Sequence, residues 1–405
     1  MNNKNLTINN YIKLKGSSKN SYVKLDKKFD KIFDGIKKDI KNTKKTLNVL
    51  NKNFKLNFKS NDLNKFKKFK NVAIVGMGGS ILGTEAIYNF FDSQIKKKIY
   101  FFDDLNEDNI MKFKKNKKIS KTLFIVISKS GSTIETLTNS FALNILKKNA
   151  KNVIIISEKK NNFLFSLSEK LNLFYIEHNS DVGGRYSVLS EVGIVPAYLM
   201  GINVNKLRSQ TLECLKAKNK FFLKNSVINL VQLMNAKKNN NLIFLNYSPK
   251  LEKFLYWCQQ LIAESLGKKN KGFMPIISNM PKDHHSLLQL YLDGPRDKIF
   301  HIFSHEKKSK EILRIGKNIG LKNFLDKKNL SNIKIAQKNA LIKSFKQENI
   351  LFRESKIKTL KEETLGSLFS YYILETVIIG KMLNINPFNQ PAVEKVKIYT
   401  KQLLR

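Results

Sequence analysis

The run Phe124–Asn139, FIVISKSGSTIETLTN, changes character twice. With Leu123 before it, the apolar start Leu123–Ile127 is rich in β-branched residues and too short for a helix, so it reads as an interior strand of a parallel sheet. Ser128, Lys129, Ser130, Gly131, Ser132 and Thr133 then form a turn made almost entirely of hydrogen-bond donors. After them Ile134, Leu137 and Thr138 recur at helical spacing. Strand, polar turn and helix together are the building unit of an α/β sheet.

The flanking sequence repeats that unit. Val72–Val75, Ile99–Phe102, Val153–Ile156 and Phe174–Ile176 are further short apolar runs, each separated from the next by a stretch long enough for a helix. This alternation predicts a parallel sheet with helices on both faces. A second series begins after Gly201, with strand candidates at Leu242–Leu245, around Met274–Ile277 and at Ile299–Phe303, and a long helix-like stretch at Leu251–Leu266. The helical run Leu365–Met382 is followed by Asn386-Pro387, where proline forbids continuation. Residues 1–60 are polar and lysine-rich, with Phe29, Ile32, Phe33, Ile36 and Ile40 at helical spacing. The expected organisation is an N-terminal helical extension (1–61), two α/β domains (62–205 and 206–383), each a parallel sheet sandwiched by helices, and a C-terminal helical tail (384–405).

At 405 residues the chain is long enough for two domains. With 42% hydrophobic residues it is not disordered. Its net charge of +42 raises the question of a nucleic-acid or anionic-membrane partner. The lysines, however, are spread over the whole length in short runs such as Lys96-Lys97-Lys98, which suits a solvated surface. No aromatic-basic motif of the RNA-binding kind accompanies them. Cys214 and Cys258 stand far apart without CxxC spacing, which argues against a disulfide framework or a zinc site and fits a reducing cytosol. The first residues, MNNKNLTINNYIKLKG, lack a signal peptide's apolar region, and no window reaches the length of a membrane span. A cytoplasmic protein without nucleic-acid or membrane partners is expected.

In parallel α/β sheets ligands bind beyond the carboxyl ends of strands, where helix N-termini present free N–H groups. Ser128–Thr133 lies at such a place. Its hydroxyls suit a phosphate dianion, and Gly131 permits close backbone approach; alternatively Ser132 or Thr133 simply caps the helix. Gly76-Met77-Gly78-Gly79-Ser80 is a second small-residue turn after a strand. Its third glycine is misplaced for GxGxxG, and the chain has no GxxxxGK[ST] loop. Arg185, beside Gly183 and Gly184, is placed either to stabilise an oxyanion during reaction or to form an ordinary surface ion pair. Glu264 sits one turn before Gly267, at the negative end of the helix dipole, where a carboxylate is disfavoured as a charge. That suits a general base, although a solvated glutamate reads the same. Asp283-His284-His285-Ser286 holds two of the five histidines, which can exchange protons near neutral pH or bind metal; no HExxH partner motif is present. Asn386–Glu394 leads on to Lys397.

In this order the segments resemble the glucose-6-phosphate isomerase family, built from two sugar-isomerase (SIS) domains, from about Val72 to the C-terminus. GMGGSILG is similar to that family's GIGGSxLG turn and SKSGSTIET to its SK[ST]xxTxET phosphate loop. VGGRYSVLSEVG, AESLGK, HHSLLQL and NPFNQPAVEKVK resemble its VGGRFSxxSxVG, ESxGK, QHSxxQ and DQxGVExGK segments. The resemblance implies interconversion of glucose 6-phosphate and fructose 6-phosphate through a cis-enediol, without metal or organic cofactor. Ser128, Lys129, Ser130 and Thr133, with Gly79 and Ser80 near by, would hold the phosphate. Glu264 would move the proton between carbons 2 and 1, Arg185 would stabilise the enediolate and Gln390 would contact the sugar. His285 and Lys397 would assist ring opening, the histidine coming from a second subunit of a homodimer. His284 stands where the family has glutamine, so two imidazoles compete for that role, and the HS pairing favours His285. Ala392 and Val396 replace customary glycines ahead of Lys397. Two rivals remain: a dual phosphoglucose/phosphomannose isomerase, against which Gln390 speaks, and a non-catalytic SIS-domain sugar-phosphate sensor, which would need no base.

Overall fold

Ten strands make two five-stranded sheets among the described residues, which in this computed structural model are 4–12, 19–116, 119–305, 325 and 328–404. They are β1 (Leu6–Asn10), β2 (Asn71–Val75), β3 (Lys98–Phe102), β4 (Thr122–Ile127), β5 (Val153–Ser157), β6 (Phe174–Glu177), β7 (Asn241–Asn246), β8 (Met274–Asn279), β9 (Lys298–His305) and β10 (Phe352–Ile357). Every strand expected from an apolar run forms.

The first sheet has the order β3-β2-β4-β5-β6 and is parallel throughout. β4 is buried at every position because both faces are covered. Leu63, Phe66, Val192 and Leu199 pack on one side; Phe113, Leu143 and Leu164 pack on the other. The chain leaves β2 in one direction to make β3 and returns on the other side of β2 to make β4. The crevice between the turns after β2 and β4 is therefore a topological switch point, where such sheets bind ligands.

The second sheet, ordered β1-β10-β9-β7-β8, contains two strands not expected from the sequence. β10, sequence FRESKI, is a fully internal strand despite its polar residues. Arg353 is buried because Glu375 accepts from its Nη1 at 2.6 Å, with the His301 ring beside its Nη2 at 3.1 Å. Buried charges persist only when paired in this way. The N-terminal segment, expected to be helical, begins as β1, which pairs antiparallel with β10 from Leu6 opposite Ile357 to Asn10 opposite Arg353. The second sheet is thus parallel except at this edge.

The expected N-terminal helix spans Lys19–Lys41 and buries Phe29, Phe33, Ile36 and Ile40 against the Ala217–Ala236 and Glu362–Met382 helices. The latter is buried on nearly every side, as a central helix must be. It stops at Met382, where Asn384 takes φ 56°, ahead of the proline expected to end it. Residues 306–324 of the second expected domain lie outside the described residues. No helix among the described residues is long and apolar enough to cross a membrane.

A helix pair and the segment carrying Arg185 join the two halves. The Glu252–Leu266 helix packs along the Leu82–Phe91 helix, which follows β2. Lys253 pairs with Glu85 at 2.8 Å near one end, and Gln260 meets Gly78 near the other. This antiparallel arrangement brings the end of the Glu252–Leu266 helix to the glycine turn after β2.

Candidate active site

The hydroxyl-rich turn follows β4 and leads into the Ile134–Ala142 helix. Thr133 occupies the N-cap position but makes no side-chain cap bond. Its Oγ1 instead lies 2.8 Å from Ser128 Oγ, so the capping alternative is not what the hydroxyl does. Gly131 adopts φ 64°, a left-handed conformation open to glycine, and a Cβ there would collide with the Asn162 amide. Lys129 donates to Ser180 O at 2.9 Å and pairs with Glu158 at 3.3 Å. Ser130 is exposed and accepts from the Ser132 hydroxyl at 3.3 Å.

The second turn, after β2, contains Gly78 at φ 53°. At Gly79 a Cβ would fall 2.6 Å from the Arg185 backbone N. The absence of a side chain thus lets the Gly76–Ser80 turn rest directly on the segment that carries Arg185, with Ser187 Oγ donating to Gly79 O at 3.3 Å.

Arg185 is buried, which overturns the surface-turn alternative. All five of its N–H donors are engaged. Nε donates to Ser265 Oγ at 2.8 Å, and Nη1 donates to Glu264 Oε2 at 3.0 Å and Gln390 Oε1 at 2.9 Å. Nη2 donates to the carbonyls of Pro387 at 2.6 Å and Asn389 at 3.0 Å. A guanidinium is a rigid planar fork, so these bonds fix Glu264 and Gln390 relative to each other. Gln260, one helical turn before Glu264, donates to its Oε1 at 2.9 Å. The general-base candidate is therefore oriented from both oxygens. Tyr186 completes the floor, its hydroxyl donating to Pro387 O at 2.8 Å and meeting Ser265 Oγ at 2.8 Å; burial pushes that phenol up.

Arg185, Glu264 and Gln390 are thus brought together, with Gly79 against them. His285 and Lys397 are not joined to this group within the chain. His285 is exposed beyond the end of β8, whereas Glu264 precedes the start of that strand, and a strand of 6 residues spans ~20 Å. The neighbouring His284 meets Tyr247 at 2.7 Å and is pushed down by burial and by His285. Lys397 lies on the Ala392–Leu403 helix, which buries no residue, and pairs with Glu394 at 2.8 Å.

Sequence reasoning missed Gln260, Ser265 and Tyr186. Gln260 was accessible through its i, i+4 relation to Glu264. Ser265 and Tyr186 adjoin named residues, but nothing in their own pattern announces a bond to one arginine. Among the described residues no group of three His, Cys, Asp or Glu side chains could hold a metal ion.

Two parallel-sheet halves, a small-residue crevice at a switch point and an arginine-fixed carboxylate at their junction define an α/β protein of the sugar-isomerase (SIS) fold. The phosphoglucose isomerase family profile matches residues 26–278. A probable glucose-6-phosphate isomerase of Methanococcus maripaludis is 36% identical, covering 86% of this chain and 81% of its own. The glucose-6-phosphate isomerase of Methanocaldococcus jannaschii is 32% identical, covering 83% and 85%. In three dimensions the chain is similar to a glucose-6-phosphate isomerase from Chlamydia trachomatis, with TM-score 0.78, 18% identity and coverage of 100% of this chain and 89% of that one. The chain belongs to the phosphoglucose isomerase family.

Proposed function

We propose that this chain interconverts glucose 6-phosphate and fructose 6-phosphate as a cytoplasmic homodimer of central sugar metabolism. The observation that carries the reading is the Arg185 fork holding Glu264 and Gln390 together beside the glycine turn, in a chain of this family.

In the proposed reaction Ser128, Ser130 and Thr133, with Lys129, Gly79 and Ser80 close by, take the phosphate as a fixed handle. The Glu264 carboxylate accepts the proton on carbon 2 of the open-chain glucose 6-phosphate. The electron pair left behind forms the double bond of a cis-enediol, and charge builds on the carbon 1 oxygen. Glu264 then returns the proton to carbon 1, while the hydroxyl proton passes from the carbon 2 oxygen to the carbon 1 oxygen, leaving the ketose. Arg185 Nη1, whose acceptors are Glu264 and Gln390, meets the developing oxyanion when a substrate oxygen replaces Gln390 Oε1. Preorganised donors of this kind contribute ~10²–10³ in rate. Gln390, released from Arg185 by that exchange, offers the sugar its carboxamide.

Ring opening needs proton transfer to the ring oxygen and from the carbon 1 hydroxyl, the roles proposed for His285 and Lys397. Since β8 separates His285 from Glu264 in one chain, the imidazole reaching a given Glu264 comes from a second copy. The exposed Val393, Val396 and Leu403 of the tail helix give such a copy apolar surface to cover.

The test is a dehydrogenase-coupled assay of fructose 6-phosphate conversion with EDTA present. Turnover well above a blank is expected, and none would refute the reading. Mannose 6-phosphate, run alongside, is expected to be a poor substrate; rapid turnover would establish the dual enzyme.

A further inference from the structure

Lys268 follows the end of the Glu252–Leu266 helix, and its Nζ donates three hydrogen bonds. Two go to carbonyls of that helix, Glu264 O at 2.8 Å and Ser265 O at 2.8 Å, and one to Asn386 O at 3.0 Å. The two helix carbonyls belong to the base candidate and to the serine that receives Arg185 Nε. Asn386 opens the segment whose Pro387 and Asn389 carbonyls and Gln390 side chain also bind Arg185. One ammonium thus spans the two elements that converge on the guanidinium.

We propose that Lys268 is a positioning residue: it ties the end of the base-bearing helix to the 386–390 segment and so sets Glu264 and Gln390 at their working separation across Arg185. An ammonium has three N–H donors and a neutral amine only two, so the tie is complete only while Lys268 is charged. Burial, reinforced by the Arg185 charge and opposed by Glu264, pushes its pKa down to about 8. The charged groups around it are Arg185 from the 184–189 turn, Glu264 from its own helix, and Lys269 and Lys271 from its own loop; residues 384–391 carry no titratable side chain. Raising the pH through this range removes one of the three bonds. The active geometry then loosens while the phosphate turn, on another element, is untouched.

The kinetic part of this proposal rests on the isomerase reading; its structural part does not. In full-length K268M, kcat at pH 7 is expected to fall about tenfold to a hundredfold, the scale of a displaced catalytic group, with KM for fructose 6-phosphate little changed. Wild-type kcat is expected to decline above about pH 8. K268R, whose guanidinium does not titrate there, shifts that decline upward. Amide hydrogen exchange at 388–390 quickens in K268M and stays at the wild-type rate at Ser128–Thr133. Unchanged exchange at 388–390 overturns the proposal, as does an alkaline decline in K268R identical to wild type. If the wild type turns over no fructose 6-phosphate, the isomerase reading fails and the exchange measurement alone decides the tie; it also decides if K268M is too unstable for kinetics.

Discussion

In the proposed reaction Glu264 and Arg185 share the chemistry, although in the sequence each alone was ambiguous. A glutamate near a helix end and an arginine between small residues are common; what distinguishes them is that one guanidinium bonds both the carboxylate and Gln390. Glu264→Gln keeps the shape and removes the base, so steady-state kinetics should show kcat lowered by ~10²–10⁴, the range of general-base contributions. Calorimetric binding of fructose 6-phosphate should remain measurable. Near-wild-type turnover would assign the base elsewhere. A second titratable residue, His178, is buried after β6, with neither ring nitrogen hydrogen-bonded among the described residues and Glu191 Oε2 at 3.9 Å. Burial, with Lys129 adding to it, pushes its pKa down to about 3. The unfolded chain takes up that proton near pH 6.5 and the folded chain does not, so stability is full above pH 6.5 and is lost as pH falls towards 3. Glu191, itself pushed up by burial, is common to wild type and His178→Phe. Urea unfolding of the two should diverge below pH 6.5, the wild type losing up to about 1.4 kcal/mol more per pH unit. Parallel curves would show that the imidazole is protonated in the fold.

At the scale of elements, the strand–turn–helix from Leu123 to Ala142 is the proposed phosphate handle. Thr133 supplies a hydroxyl that bonds Ser128 rather than capping its helix, which leaves the helix N-terminus to a ligand. Thr133→Ala should raise KM for fructose 6-phosphate by ~10–100-fold, corresponding to the ~1.5–3 kcal/mol of a hydrogen bond to a charged group, with kcat largely kept. A loss confined to kcat would place Thr133 near the reacting carbons. This element was legible because VAIV, LFIVI and VIII are apolar, β-branched runs ended by turn residues. β10 was not, because Arg353, Glu354 and Ser355 are buried in it, and their partners Glu375, Lys338 and His301 come from other elements of the fold. β1 was hidden by its asparagines and by pairing with a strand hundreds of residues away. In the site, the glycine and serine turns showed themselves through local composition. The Gln260 bond to Glu264 follows from i, i+4 spacing, whereas the Ser265 bond to Arg185 depends on the two halves of the chain meeting, which no local pattern encodes.

On the scale of the whole molecule, the two halves meet through a helix pair and the Arg185 segment, and the separation of His285 and Glu264 supports the proposed site completed by a second copy. Glu264→Gln and His285→Ala homodimers should each be nearly inactive. Co-refolded in equal amounts, they should recover about a quarter of wild-type activity, since half of randomly formed C2 dimers are hybrids with one intact site. No recovery would mean that each chain builds its site alone. The proposed shuttling of a proton by Glu264 between carbons 2 and 1 beside Arg185 can be followed by running the isomerisation in D₂O and reading the products by NMR. Deuterium is expected at carbon 2 of glucose 6-phosphate in a share of wild-type turnovers and none with Glu264→Gln. Wild-type product formed with no solvent deuterium at all, or label incorporated undiminished by Glu264→Gln, would contradict it.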